Sequence, residues 1–198
     1  MAASLSAAEW AARRQNMVES QLRTFDVTDL AVLAAFNTIP REKYVAPSAI
    51  ASAYLDREVP AAGTPKRTLL PPAVLARLLQ SARIKSGEKA LDVAGGPGYS
   101  AAIMSALEVD VTSLDAGPIA PDAGPFAIIL VNGAFERRPD ELLNLLADGG
   151  RLIGVEAISG APKAVLVEKV GGGFSRRVLF DANCTRLDEF RRAPGFIF

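Results

Sequence analysis

The stretch ALDVAGGPGYSAA, beginning at Ala90, concentrates residue types that can hold a ligand. It reads as a short strand, a glycine turn and the start of a helix. Gly95, Gly96 and Gly98 carry no side chain, so a ligand can approach the turn's backbone closely. The first turn of the helix behind them presents free N–H groups. Asp92 precedes the turn, and Ala94 stands where a first glycine is usual. Asp115 ends the following strand, VDVTSLD, where a carboxylate can accept both hydroxyls of a ribose. Asn132 ends a third run, FAIILVN. In an open α/β sheet, ligands sit outside the carboxyl ends of the strands, where these residues would meet. Gly96-x-Gly98-x-x-Ala101 also fits the dinucleotide pattern, but no residue stands out as a hydride-site acid or base, so nicotinamide chemistry ranks last. The same glycines suit a tight strand-to-helix turn with no ligand, and these residues alone do not choose between the two.

Composition removes several chemistries. The chain has 198 residues and no histidine. Imidazole bases, Ser-His-Asp hydrolysis and His-ligated metals are excluded. Cys184 is the single cysteine, which argues against zinc and against an internal disulfide, and points to a reducing cytoplasm. Net charge is zero and no basic run occurs, so no nucleic-acid partner is expected. No apolar run reaches membrane-helix length, and Glu9, Arg13 and Arg14 break any signal-peptide pattern. No membrane partner and no metal are expected.

Several elements must position the turn. Ser6 and Glu9 have capping-box spacing at the head of a helix running to about Leu22. Asp26 or Thr28 is placed to cap a second helix ending before Pro40. Residues 41–70 read as short helix and irregular loops, and a third helix spans about Pro72 to Ala82. From Lys89 strands dominate. ALDV, VDVTSLD and the wholly apolar FAIILVN suit a buried parallel sheet. PDELLNLLADGG reads as a helix with a Gly-Gly stop, and RLIGVEAI as a further strand. AVLVEKVGGGFSRRVLF reads as a hairpin. The fold expected is α/β: a doubly wound, mostly parallel sheet of Rossmann-like type with a C-terminal antiparallel hairpin and a helical N-terminal extension. Residues 1–82 form the helical segment packed on the core and 83–198 the core, as one cooperative unit.

The run RRQNMVESQLRTFDVTDLAVLAAFNTIPREKYV, followed by AYLDREVP, LDVAGGPGYSAA and LLADGGRLIGV, resembles the protein-L-isoaspartate O-methyltransferase family over nearly the whole chain. The resemblance implies an S-adenosylmethionine-dependent methyltransferase fold and a cytosolic protein. It implies methylation of isoaspartyl carboxylates in damaged proteins, with a protein or peptide substrate. It also assigns Asp92, Ala94, Gly95, Gly96, Gly98, Asp115 and Asn132 to the cofactor.

Three departures mark a divergent, degenerate member. Ala94 replaces the first glycine of the cofactor loop. In KRTLLPP, aligned on Pro72, Thr68 remains but Leu70 replaces the serine of the family's Gly-Gln-Thr-Ile-Ser-Gln-Pro motif, and the leucines are expected to pack. Finally, only residues 116–125 separate Asp115 from Phe126. They are too few and too rich in Pro and Gly for a crossover helix, strand and return. Extended, they reach ~33 Å, enough to return along a strand and step across the sheet. The family's third strand and its helix are therefore expected to be missing, with the adenine side of the pocket. A second copy of the chain, or the N-terminal segment, is expected to cover the sheet face so exposed. Against methyl transfer stands an alternative, a catalytically inactive homologue acting as a binding or scaffold protein.

Overall fold

The structure is a computed structural model, and it describes residues 5–117, 120 and 122–192. α1 (Ala7–Met17) starts at the expected capping box. The Ser6 side chain accepts from the Glu9 N–H at 3.3 Å and the Glu9 carboxylate accepts from the Ser6 N–H at 2.7 Å. A π-helical turn (Val18–Leu22) and a 3-10 turn (Arg23–Phe25) continue it, burying Met17, Val18 and Leu22. α2 (Leu30–Thr38) is capped by Asp29. The expected caps have other roles: Asp26 is left-handed, at φ 62°, and the Thr28 N–H donates to Gln80 Oε1. Residues 41–70 contain two 3-10 turns and, unexpectedly, a minimal antiparallel hairpin of β1 (Val59–Pro60) and β2 (Thr68–Leu69). α3 (Pro72–Ala82) follows, with the Ala73 N–H donating to Asp56 Oδ1 at 2.9 Å.

The main sheet holds β3 (Lys89–Val93), β4 (Asp110–Leu114), β5 (Phe126–Phe135), β6 (Leu146–Glu156), β7 (Lys163–Val170) and β8 (Gly173–Asp181). Its order is β4-β3-β5-β6-β7-β8, parallel through β6 and antiparallel from β6 to β8. The C-terminal hairpin turns at Gly171 and Gly172, both with positive φ as that turn requires. α4 (Tyr99–Ala106) connects β3 to β4. β4 is an edge strand among the described residues, and residues 116–125 enter no helix or strand where described. Among the described residues the third strand and its helix are thus missing. The exposed Asp110, Thr112 and Ser113 on β4 give this edge a polar surface.

One expectation needs correction. PDELLNLLADGG supplies only one helical turn, α5 (Asp140–Leu143), before the chain enters β6. Pairing to β5 (Phe126 with Leu146, Ile128 with Arg151) draws residues 146–150 into the strand with a register shift, so the Gly-Gly pair does not stop a helix. Over β3, β5 and β6 both faces of the sheet are covered from within the chain. One face carries Ala90, Ile128, Leu130 and Ile153 beneath the N-terminal helices. The other carries Leu91, Val93, Ile129, Val131 and Leu152 beneath Leu142, Leu143, Leu145, Leu187 and Phe190 of the same chain. Leu91, Ile129 and Val131 are consequently buried within a single chain.

Candidate functional site

The glycine turn joins β3 to α4 at the carboxyl end of the sheet. Asp92 points inward and is fully buried, accepting from Asn132 Nδ2 at 2.7 Å and Ser100 Oγ at 2.9 Å. Burial pushes its carboxyl pKa up to about 6, against the pull of the Asn132 and Ser100 donors. Asn132 Nδ2 also donates to Val93 O at 3.0 Å, tying the last residues of β3 to β5. Gly95 is required beneath this network, because a Cβ there would lie 2.1 Å from Asp92 Oδ2. Asp92, Gly95 and Asn132 therefore shape the turn from behind. Ala94 has φ 57° and Gly96 the same value. An alanine in the left-handed region costs about 1–2 kcal/mol, so this departure stores strain in the turn. Gly98 (φ 87°) is the N-cap of α4.

In front of the turn stands Asp115. Its Oδ1 accepts from the Gly96 N–H at 3.0 Å and from Arg67 Nε at 2.9 Å. Arg67 NH2 donates to the Asp115 carbonyl and to Glu189 Oε1, the latter at 2.7 Å. Burial disfavours the Arg67 charge, but the Glu189 and Asp115 bonds outweigh it and hold its pKa above the ordinary value. The same Arg67 bond holds the Glu189 carboxyl below the usual range. A cavity of about 560 Å³ opens beside this cluster, lined by Val93, Ala94, Leu114, Asp115, Ala116 and Phe190 among others. A second cavity, of about 760 Å³, is lined by Arg67 and shares Asp115, Ala116 and Glu189 with the first. Among the described residues, no group of His, Cys, Asp and Glu could hold a metal ion.

In the segment before α3, Thr68 and Leu70 line neither cavity. Leu70 is 2% exposed and packs in the core, while its carbonyl accepts from Arg41 NH2 at 2.9 Å. The Thr68 hydroxyl donates to Glu58 Oε1 at 2.9 Å, and Glu58 also accepts from the Thr185 N–H. The structure thus brings Ala94 and Asp115 to one cavity, ties Gly96 to Asp115 through its N–H, keeps Gly98 as the cap of α4, sets Asp92, Gly95 and Asn132 behind the turn, and leaves Thr68 and Leu70 outside both cavities.

Arg67 and Glu189 are the residues at this site that sequence reasoning missed. The signal for Arg67 lay within KRTLLPP, where it stands at the Gln of the aligned motif. Glu189 gave none, because a charged residue in a C-terminal loop reads as solvated surface.

A parallel sheet with a glycine turn after its first strand, and a carboxylate at the end of the second, gives an α/β domain of the Rossmann-like methyltransferase type. Residues 12–113 match the family model described as protein-L-isoaspartate(D-aspartate) O-methyltransferase. A protein-L-isoaspartate O-methyltransferase of Koribacter versatilis is 30% identical over 98% of this chain and 95% of its own. That of Opitutus terrae is 33% identical over 71% of each. The chain belongs to the protein-L-isoaspartate O-methyltransferase family. Its fold is shared with a Plasmodium falciparum structure described as a putative member in complex with S-adenosyl-L-homocysteine. The two agree at TM-score 0.74 and 19% identity, over 89% of this chain and 98% of that one.

Proposed function

We propose that this chain binds S-adenosylmethionine at the β3–α4 turn and methylates isoaspartyl carboxylates of damaged polypeptides. The observation that carries the reading is Asp115. Its carboxylate, 41% exposed, is fixed at the turn by the Gly96 N–H and borders the cavity of about 560 Å³. That volume lies within the range of small-molecule sites. The cofactor fits the residues present: Asp115 would take the ribose hydroxyls, the Gly96–Gly98 turn the polar tail, and Val93, Leu114 and Phe190 the base. When bound, S-adenosylmethionine supplies an electrophilic methyl group. A substrate carboxylate is already ionised at neutral pH and attacks without a base. The chain's tasks are then orientation and exclusion of water, for which the absence of histidine is no handicap. Family membership supports the substrate class and a cytoplasmic setting.

Leu70 favours a second reading. No hydroxyl replaces the family's serine at this position, and the leucine is core. A homologue of this kind binds without transferring, as a binding or scaffold protein. Incubation with methyl-labelled S-adenosylmethionine and an isoaspartyl peptide, against its aspartyl twin, separates the two. Base-labile label on the isoaspartyl peptide alone is expected. Cofactor binding with no transfer would establish the second reading, and absence of binding would sink both.

A further inference from the structure

Arg67 holds two acids that border the site, Asp115 and Glu189. Its side chain is 8% exposed, whereas those of Asp115 and Glu189 are 41% and 38% exposed. The cation is therefore inserted between two more accessible carboxylates. The loop between β1 and β2 delivers it. A Cβ on Gly96 would stand 2.9 Å from Thr64 Oγ1 and 3.2 Å from Arg67 Cβ, so this loop rests directly on the glycine turn. Arg67 lines the cavity of about 760 Å³, and both of its carboxylate partners, Asp115 and Glu189, also line the cavity of about 560 Å³. Asp115 Oδ1 already has two donors, Arg67 Nε and the Gly96 N–H. A ribose diol needs both oxygens of the carboxylate, and only Oδ2 has no donor among the described residues.

We propose that Arg67 is a latch that competes with the cofactor for Asp115, and that Glu189 is its alternative anchor. The proposal rests on the reading of Asp115 as the ribose acceptor. In the closed state the guanidinium fork bridges both acids. Opening requires only that Arg67 release Asp115, because its bonds to Glu189, at 2.7 Å from NH2 and 3.4 Å from NH1, remain available. Ligand entry is thereby coupled to the position of the β1–β2 loop.

The two partners of the latch have opposite effects on binding. Arg67→Gln frees Asp115, whereas Glu189→Gln removes the anchor and leaves Arg67 on Asp115 alone. Calorimetry with S-adenosylhomocysteine, whose net charge is near zero, reads both in the full chain. A lost charge-assisted bond corresponds to about a tenfold change, so Arg67→Gln should bind about tenfold tighter than wild type and Glu189→Gln weaker. Raising salt should tighten wild-type binding and leave Arg67→Gln unchanged. Equal or weaker binding by Arg67→Gln, with wild type still binding, overturns the latch and leaves the cofactor reading intact. No binding by either at millimolar ligand, with cooperative melting retained, overturns both. If Arg67→Gln does not fold, Arg67→Lys, which cannot fork between the acids, is read by the same criteria.

Discussion

Replacing Asp92 by asparagine isolates the electrostatics behind the turn. The wild-type carboxyl is fully buried and titrates at about 6 instead of 3.8, chiefly because burial disfavours its charge. Below about pH 4 it is protonated in both folded and unfolded chains and contributes no pH dependence. Between about pH 4 and 6 the folded state binds more protons than the unfolded state, so this group makes stability fall as pH rises. The displacement corresponds to about 3 kcal/mol at neutral pH. Asparagine imitates the protonated acid: its oxygen can face Asn132 Nδ2, and its amide can donate to Ser100 Oγ. Asp92→Asn should therefore match wild type at pH 4 and exceed it by about 3 kcal/mol at pH 7, or about 6–12 °C in Tm for a chain this size. Urea titrations across this range measure it. Glu88, Glu141 and Glu189, whose carboxyls are held low, drive stability the other way with pH. The readout is consequently the difference between variant and wild type, in which those groups cancel. Parallel stability–pH curves for the two proteins would refute the argument, as would a carboxyl NMR titration placing Asp92 near 4.

The turn yields a steric test as well. Gly95→Ala sets a Cβ 2.1 Å from Asp92 Oδ2 and 3.0 Å from Ser100 Oγ; it should lose about 1–3 kcal/mol by urea unfolding, and less in an Asp92→Ala background, where additive losses would show the clash to be misassigned. Leu70→Ser, which restores the hydroxyl of the family motif, removes a side chain that is 2% exposed and should cost about 2–5 kcal/mol in the same assay; a neutral effect would mean Leu70 is not core. Cys184 is buried and its thiol is pushed up to about 12 by that burial. It should resist a thiol-specific disulfide reagent at pH 8 and react only in denaturant, whereas rapid native labelling would contradict its burial.

The features legible in the sequence are those whose cause is local. The Ser6–Glu9 box, the Pro72 start of α3 and the glycines at 171 and 172 act within a few residues of themselves, and each stands where expected. The apolar run of β5 was readable because a strand buried on both faces needs no partner pattern. PDELLNLLADGG failed for the converse reason. Its helical spacing is real, but ladder bonds to β5 outweigh it, and no property of the segment announces that partner. The candidate site divides along the same line. Asp92, Ala94, Gly95, Gly96 and Gly98 lie in one turn and could be read together. Arg67 is 48 residues from Asp115 and 122 from Glu189, and only the β1–β2 hairpin and the C-terminal loop bring the three together. A glycine turn read alone therefore reports that a ligand could approach. Whether it can enter depends on what the rest of the chain lays against the turn, and here the loop carrying Arg67 rests on Gly96 while Arg67 is paired with Asp115, the acid we propose for the ribose.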